Sequence, residues 1–276
     1  LDQVRATQRE DAMNKWMMLV LALIASLAMR GYSQCPFSAN PIGGTFPGMS
    51  SLVGALAVMP NGDLIVGGGF GAAGDVAFSR IARWNGAAWS GLGTGMNESV
   101  NALVVMPNGD LIAGGNFTTA GGVAVNYIAR WNGTEWSAMG TGMDSYVFAL
   151  GLLPNGDLIA GGQFTSAGGV SASRIARWDG SAWSELGSGV NSFVNAVLVL
   201  PNGDVIVGGN ITAAGGVAAQ RIARWNGSEW SAMGSGIGGT VYALAALPSG
   251  DVVAGGLYTT AGGVSANYTA RWDGAA

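Results

Sequence analysis

The chain has 276 residues, of which 48 are glycine, 10 are tryptophan and none is histidine. The absence of histidine excludes His-based catalytic triads and His metal sites, and the single cysteine, Cys35, excludes an internal disulfide framework and a cysteine cluster for zinc or iron–sulfur. From Cys35 onward, eight arginines stand against thirteen acidic residues, a net charge near −5, so we expect no nucleic-acid partner and no electrostatic binding to an anionic membrane.

The N-terminal part of the sequence has the pattern of a leader. Residues 1–12 precede the first methionine, Met13, and fit no targeting pattern, so we interpret them as an upstream extension. A basic residue is then followed by an apolar run of about fourteen residues, 16–29, which is shorter than the roughly 20 residues of a membrane span. We therefore interpret residues 13–34 as a secretory signal peptide, with an N-terminal anchor as the alternative. The folded domain is predicted at 35–276, outside the cytoplasm.

The rest of the chain repeats every 47 residues without insertion or deletion. Each repeat carries a Pro-Asn-Gly-Asp motif (Pro-Ser-Gly-Asp in the last), then Ile-Ala-Arg-Trp, and four of the five continue to a second tryptophan. Five repeats in one register identify a repeat architecture. They start near residues 49, 96, 143, 190 and 237, and their Ile-Ala-Arg-Trp motifs begin at Ile81, Ile128, Ile175 and Ile222, with Thr-Ala-Arg-Trp at Thr269.

Each repeat predicts four short strands, as the second repeat illustrates. A first strand at 100–106 leads into the Pro-Asn-Gly-Asp turn, where glycine supplies the positive φ. A second strand at 111–118, an Ala-Gly-Gly-Val loop at 120–123 and a third strand at 127–131 follow, and an Asn-Gly hairpin leads to a fourth strand around Trp136. Four strands at this period indicate an all-β fold, a β-propeller of four-stranded blades, with a β-solenoid as the alternative.

The two ends of the repeat region complement each other. The last repeat stops one residue short of the next tryptophan position and so lacks its fourth strand. Counting 47 residues back from Trp89 gives Ile42, which places residues 40–46 in a fourth-strand position ahead of the first repeat. We predict a propeller of five blades closed by this N-terminal strand, because closure removes exposed strand edges. The alternative is a fragment of a longer propeller.

Residues that recur in every repeat are best explained by structure. The tryptophans recur as packing between adjacent sheets requires, although a ligand platform is the alternative. One arginine and one aspartate per repeat predict an ion pair on strands that are otherwise apolar, with a ring of anion-binding arginines as the alternative. The arginines are Arg83, Arg130, Arg177, Arg224 and Arg271, and the aspartates are Asp63, Asp110, Asp157, Asp204 and Asp251.

Function is expected where the repeats differ. The segments that approach the first strand and the third strand vary between repeats, and in propeller topology both connections lie on the same face. Drift at unconstrained loop positions is the alternative explanation. We predict ligand-binding residues in these loops at Glu98, Tyr127, Asp144, Tyr146, Arg174, Phe193, Arg221 and Tyr268.

The sequence offers little for catalysis. Glycoside hydrolysis needs a pair of carboxylates, and no spacing brings together Asp75, Glu98, Asp144 or Glu185, the carboxylates that not all repeats share. We therefore expect no enzyme activity, no catalytic residue and no cofactor. Calcium bound by turn carbonyls and aspartates is left open, although no Asp-x-Asp-x-Asp-Gly loop occurs.

The repeat Asn-Gly-Asp-Leu-Ile-Ala-Gly-Gly-x-Phe-Thr-x-Ala-Gly-Gly-Val, continued by Ile-Ala-Arg-Trp-Asn-Gly-x-x-Trp-Ser, resembles a kelch-like propeller repeat. Such copies are common in bacterial secreted and surface proteins, and the repeat is also similar to the propeller of fungal cortical polarity markers. The resemblance covers about residues 42–276 and implies a fold and an extracytoplasmic location rather than a site. The copper chemistry of kelch-containing galactose oxidases includes histidine ligands, so it does not carry over.

Three functions follow, from different classes. The first is a secreted or cell-surface, non-catalytic propeller that binds a protein or a cell-envelope partner. The second is a lectin with repeated glycan sites, by analogy with five-bladed tachylectin-type lectins. The third is a glycan-active enzyme with a carboxylate site.

Overall fold

The computed structural model of the chain describes residues 48–274, and its regular elements are β-strands. The first four repeats each form a four-stranded antiparallel sheet in the order first, second, third and fourth strand, and the fifth forms a three-stranded sheet. Between the second and third strands, each repeat adds a pair of two-residue strands, here called the connecting hairpin. This all-β array of repeated four-stranded sheets is consistent with a β-propeller, as the sequence predicts.

The strands of the first three repeats follow the 47-residue period. The first repeat contains β1 (Val53–Val58), β2 (Leu64–Gly68), β3 (Ala72–Ala73), β4 (Val76–Ala77), β5 (Ile81–Trp84) and β6 (Trp89–Ser90). The second contains β7 (Val100–Val105), β8 (Leu111–Gly115), β9 (Thr119–Ala120), β10 (Val123–Ala124), β11 (Ile128–Trp131) and β12 (Trp136–Ala138). The third contains β13 (Val147–Leu152), β14 (Leu158–Gly162), β15 (Ser166–Ala167), β16 (Val170–Ser171), β17 (Ile175–Trp178) and β18 (Trp183–Glu185).

The last two repeats continue the series. The fourth contains β19 (Val194–Val199), β20 (Val205–Gly209), β21 (Ala213–Ala214), β22 (Val217–Ala218), β23 (Ile222–Trp225) and β24 (Trp230–Ala232). The fifth contains β25 (Thr240–Ala246), β26 (Val252–Leu257), β27 (Thr260–Ala261), β28 (Val264–Ser265) and β29 (Thr269–Trp272).

The Pro-Asn-Gly-Asp turn joins the first two strands through a network that includes the predicted ion pair. In the second repeat, the Asn108 amide donates to the Asp110 carboxylate at 2.6 Å, and Gly109 has a φ of 88°. The Arg130 guanidinium reaches the same carboxylate at 2.6 Å. The predicted Arg–Asp pairing is confirmed in every repeat, between Arg83 and Asp63, Arg130 and Asp110, Arg177 and Asp157, Arg224 and Asp204, and Arg271 and Asp251.

The connection between the second and third strands differs from the prediction. The second strand of the second repeat ends at Gly115 rather than at residue 118, because the chain turns there to bury Phe117 completely. The predicted Ala-Gly-Gly-Val loop is a hairpin whose turn contains Gly121 and Gly122, with φ of 59° and 83°. The hairpin packs against the second tryptophan of its own repeat, Trp136.

The core lies between neighbouring sheets. A Cβ atom at Gly67, in the second strand of the first repeat, would lie 2.6 Å from Cγ1 of Val100 in the next repeat. Glycine is therefore required for the sheets to approach this closely. The first strands also carry a bulge at the position of Asn101, whose side-chain amide donates to the Val147 carbonyl of the following repeat at 2.9 Å.

The second tryptophan of each interior repeat joins that repeat to the one before it. Trp136 is 4% exposed, its indole N–H donates to the Leu92 carbonyl at 2.9 Å, and its ring lies 5.3 Å from that of Trp131. Trp183 and Trp230 repeat this arrangement. Packing between sheets, the structural explanation of the tryptophans, is confirmed for these residues.

Successive first strands pack against one another from β1 to β25, so the repeats form a continuous array. Among residues 48–274, no contact of similar extent joins the fifth repeat to the first. Residues 40–46, the predicted closing strand, lie outside the described residues, as does the predicted leader. The five-bladed closed ring therefore stays a prediction. Within the described part of the chain, no helix long and apolar enough to cross a bilayer is found.

Candidate functional site

The loops that precede the first and third strands bring residues of neighbouring repeats together. Tyr127 precedes the third strand of the second repeat, and Tyr146 precedes the first strand of the third repeat. Their rings make a T-shaped contact, with centroids 5.6 Å apart and planes at 72°. In the next pair of repeats, the guanidinium carbon of Arg174 lies 6.0 Å from the ring centroid of Phe193. We call Tyr127, Tyr146, Arg174, Phe193 and Arg221 the paired-loop surface. Its role in ligand binding stays a prediction.

The residue just before the third strand has a left-handed backbone in all five repeats. This conformation is rare for bulky side chains and costs about 1–3 kcal/mol for each residue. In the second repeat the preceding residue, Asn126, is also left-handed, with a φ of 49°. The five φ values are 68° for Arg80, 70° for Tyr127, 67° for Arg174, 66° for Arg221 and 66° for Tyr268.

Hydrogen bonds on both sides hold this conformation. The amide of Arg174 donates to the Phe164 carbonyl at 2.9 Å, and the carbonyl of Arg174 accepts from the Gly162 amide at 3.0 Å. The positive φ therefore marks the point where the loop ends and the third strand begins to pair with the second. The fold requires a left-handed residue at this position, but it does not require that residue to be arginine or tyrosine.

The arginines at this position are anchored to the end of the second strand. The Nη1 atom of Arg174 donates to the Gln163 carbonyl at 2.8 Å, and that of Arg221 donates to the Asn210 carbonyl at 2.7 Å. Arg80 makes the equivalent bond to Gly69 at 2.8 Å. The Nε atom of Arg174 is buried and has no hydrogen-bond partner in residues 48–274. Of these anchored arginines, Arg174 holds its guanidinium group beside Phe193 of the neighbouring repeat.

The acidic candidates differ in their surroundings. Glu98 is exposed, whereas Asp144 caps the loop that leads to the connecting hairpin. Its carboxylate accepts from the Thr165 amide at 2.7 Å, from the Thr165 hydroxyl at 2.5 Å and from the Ser166 amide at 3.0 Å. Burial alone raises the pKa of Asp144, but these hydrogen bonds outweigh burial and hold the pKa below its usual value of 3.8. The hydrogen bonds of the Asp144 carboxylate therefore serve to cap this loop.

The remaining candidate, Tyr268, lies in the fifth repeat. Its side chain is 47% exposed, and its backbone has the same left-handed φ as Tyr127. Within residues 48–274, no group of three or more metal-ligating side chains is found, and calcium binding stays an open prediction.

The sequence predicts the loops, but it does not predict the left-handed backbone position within each of them. Arginine and tyrosine normally avoid positive φ, so no local signal predicted the left-handed position. The recurrence of a large residue immediately before each third strand is the signal that could have indicated a constraint. From the sequence alone, the alternation of arginine and tyrosine at this position indicates only variation between repeats.

The match to a known family agrees with the fold. A family described as a domain of unknown function (DUF5122) β-propeller matches residues 107–133 and 153–178. Both stretches begin at the turn after the first strand; one ends with the third strand at Trp178, and the other ends two residues beyond the third strand, at Gly133. The closer resemblances to kelch-like and polarity-marker propellers stay predictions. No curated protein matches the sequence.

Solved structures similar to this chain include two of the extracellular domain of BT4673 from B. thetaiotaomicron. Their TM-scores are 0.49 and 0.48, at 9% and 10% identity, over 82% of this chain and 28% of those chains. Virginiamycin B lyase from Staphylococcus aureus has a TM-score of 0.46 at 12% identity, over 75% of this chain and 65% of the lyase. The chain thus spans under a third of the first two chains and just under two thirds of the lyase. At these scores the similarity bears on neither activity nor partners.

Proposed function

We propose that this chain is a secreted or cell-surface, non-catalytic β-propeller domain that binds a protein or cell-envelope partner through the paired-loop surface. The observation that carries the proposal is the left-handed backbone at Arg80, Tyr127, Arg174, Arg221 and Tyr268. Glycine would occupy these positions without strain, yet each holds arginine or tyrosine at a cost of about 1–3 kcal/mol. Arginine and tyrosine are also the side chains that dominate binding hot spots.

The differences between the pairs favour one asymmetric partner over repeated sites. A lectin with equivalent sites needs the same side chains between every two blades, and the paired positions here are chemically unlike one another. A protein partner can contact several unlike pairs at once. The equivalent positions hold Arg80 and Ser99, Tyr127 and Tyr146, Arg174 and Phe193, and Arg221 and Thr240.

The chemistry of this surface indicates what the partner presents. Anchored guanidinium groups favour carboxylates and carbonyls, and they also stack on aromatic rings. The exposed ring of Tyr146, with the half-buried ring of Tyr127 against it, favours apolar side chains with a polar end. We therefore propose a partner segment that combines acidic and apolar residues. The extracytoplasmic location rests on the predicted leader at 13–34.

The test compares two array experiments on the full chain. One array displays peptides of mixed acidic and apolar composition, and the other displays glycans, at low and at millimolar calcium. We expect peptide binding that the double variant Tyr146→Ala with Phe193→Ala weakens at least tenfold. Multivalent glycan binding that survives this double variant would support the lectin instead.

The matched control is the double variant Glu135→Ala with Glu229→Ala. Both glutamates are exposed and lie in the hairpins between the third and fourth strands, away from the paired loops. We expect it to bind peptides as the unmodified chain does. Equal binding by the two double variants, with both folded by circular dichroism, would contradict the proposed surface.

A further inference from the structure

The repeats contain Asn-Gly dipeptides in two kinds of turn. In this dipeptide the asparagine side chain can react with the backbone nitrogen of the glycine, which no Cβ atom shields. One group lies in the Pro-Asn-Gly-Asp turns, at Asn61, Asn108, Asn155 and Asn202. The other lies in the Asn-Gly hairpins between the third and fourth strands, at Asn85, Asn132 and Asn226.

The Pro-Asn-Gly-Asp turns hold both reacting groups in hydrogen bonds. The side-chain nitrogen of Asn108 donates to the Asp110 carboxylate at 2.6 Å, and the Gly109 amide donates to the Met106 carbonyl at 2.9 Å. The nitrogen that would attack and the amide that would leave are therefore both engaged. The same bonds recur at Asn61, Asn155 and Asn202.

The Asn-Gly hairpin of the second repeat has the opposite arrangement. Asn132 is exposed, and a Cβ atom at Gly133 would meet nothing within 4 Å. Within residues 48–274, neither the Gly133 amide nor the side-chain nitrogen of Asn132 has a hydrogen-bond partner. The Oδ1 atom of Asn132, in contrast, accepts from the Thr134 amide, the Thr134 hydroxyl and the Glu135 amide, each at 2.9 Å.

Three donors on one carbonyl oxygen form an oxyanion hole. Attack on Cγ of the asparagine places negative charge on Oδ1, and donors already directed at that atom stabilise the charge. Asn226 has the same three donors at 2.9 Å, from the amide and hydroxyl of Ser228 and the amide of Glu229. Asn85 has only two, the amides at 87 and 88, because alanine at position 87 has no hydroxyl.

The third repeat shows that this hairpin accommodates the product of the reaction. Asp179 stands where the other hairpins hold asparagine, and its Oδ1 atom accepts from the Ser181 amide, the Ser181 hydroxyl and the Ala182 amide at 2.8 Å. Hydrogen bonds from the Ala182 amide and from Ser181 lower the pKa of Asp179 to about 2. The hairpin therefore favours an ionised carboxylate at this position.

We propose that Asn132 and Asn226 are sites at which the chain deamidates itself. A base in the solvent takes the proton of the Gly133 amide, and the glycine nitrogen bonds to Cγ of Asn132. The Cγ–Nδ2 bond breaks, and Nδ2 takes a proton from water and leaves as ammonia. Water then opens the resulting succinimide at either carbonyl and gives aspartate or isoaspartate. Asn226 reacts in the same way with Gly227, and neither reaction depends on the paired-loop surface.

The experiment follows conversion of the folded full chain in heavy-oxygen water, at neutral and at mildly alkaline pH. The chain is digested with an acid protease in ordinary water, and fragment mass spectra assign the incorporated oxygen to each site. We expect Asn132 and Asn226 to convert about fivefold faster than Asn85, the value of one hydrogen bond. The asparagines of the Pro-Asn-Gly-Asp turns should be slower still. Conversion should be faster at the higher pH, because the glycine amide must lose its proton.

The matched variant is Thr134→Val, which removes the hydroxyl and keeps the branched shape. It should slow Asn132 about fivefold and leave Asn226 unchanged in the same molecules, which also reports that the chain is folded. Thr134→Ser should restore the rate at Asn132. An unchanged rate in Thr134→Val would show that the hydroxyl does not assist the reaction. Faster conversion of Asn132 in urea than in the folded chain, or no incorporation at Asn132 and Asn226, would show that the hairpin protects asparagine instead.

Discussion

The first and second repeats have nearly the same sequence, but only the second lies between two described sheets. Their first and second strands pair in the same register, with the same bulge. Their burial differs: Val58 is 66% exposed and Leu56 is 38% exposed, whereas the equivalent Val105 and Leu103 are half-buried. Strand pairing therefore depends on contacts within one repeat, whereas the burial of the side chains depends on the neighbouring repeats.

The fifth repeat shows the same effect at the other end. Its ion pair is looser, with 3.3 Å between Arg271 and Asp251 compared with 2.5 Å between Arg224 and Asp204. Within residues 48–274, no fourth strand pairs with its third strand.

The largest expected difference between interior and terminal repeats concerns tryptophan. Trp183→Ala should lower the free energy of unfolding by about 3–5 kcal/mol, because it empties a buried site and removes an indole hydrogen bond. Trp89→Ala, at the half-buried equivalent in the first repeat, should cost only about 1–3 kcal/mol. Urea denaturation of both variants measures the difference. Equal losses would show that Trp89 is as buried as Trp183, as a closed ring requires.

A smaller difference is expected for the ion pairs. Arg177→Met leaves the buried Asp157 carboxylate without its cation, at a cost of about 1–3 kcal/mol. Arg271→Met removes a longer and more exposed contact and should cost about 0–1 kcal/mol. Both substitutions keep the aliphatic length of the side chain, so thermal and urea unfolding report mainly the charge. A larger loss at Arg271 would contradict the contrast between interior and terminal repeats.

The smallest expected effect concerns acid stability and the cap at Asp144. The folded-state pKa of Asp144 lies below its usual value of 3.8, so ionised Asp144 stabilises the fold above that value, and this contribution is lost as the pH falls through the folded pKa. Asp144→Asn keeps a side-chain oxygen for the two loop amides, as Asn97 and Asn191 do. The variant should therefore lose less stability than the unmodified chain between about pH 4 and pH 2.

The control for this measurement is Glu98→Gln, which removes an exposed carboxylate and should leave the acid dependence of unfolding unchanged. At pH 7, both variants should unfold within about 0.5 kcal/mol of the unmodified chain. If the free energy of unfolding falls equally with acid pH in the unmodified chain and in Asp144→Asn, the loop hydrogen bonds do not stabilise the ionised form of Asp144.

Part of the candidate site could be predicted from the sequence. Variation between repeats identified Tyr127, Tyr146, Arg174 and Phe193, and the structure brings them together in pairs. The cap role of Asp144 could not be predicted, because its partners lie 21 and 22 residues away, in the loop that leads to the connecting hairpin. The left-handed position could not be predicted either, because arginine and tyrosine carry no local preference for positive φ.

By itself, the sequence determined the strands, the turns and the Arg–Asp pairs. These features depend on alternating apolar residues, on turn chemistry and on contacts within one repeat, and every repeat carries its own copy of them. Only the tertiary structure decided which copies are buried and which loops meet. These properties depend on the neighbouring sheet, so equivalent residues such as Val58 and Val105 differ in exposure although their repeats match.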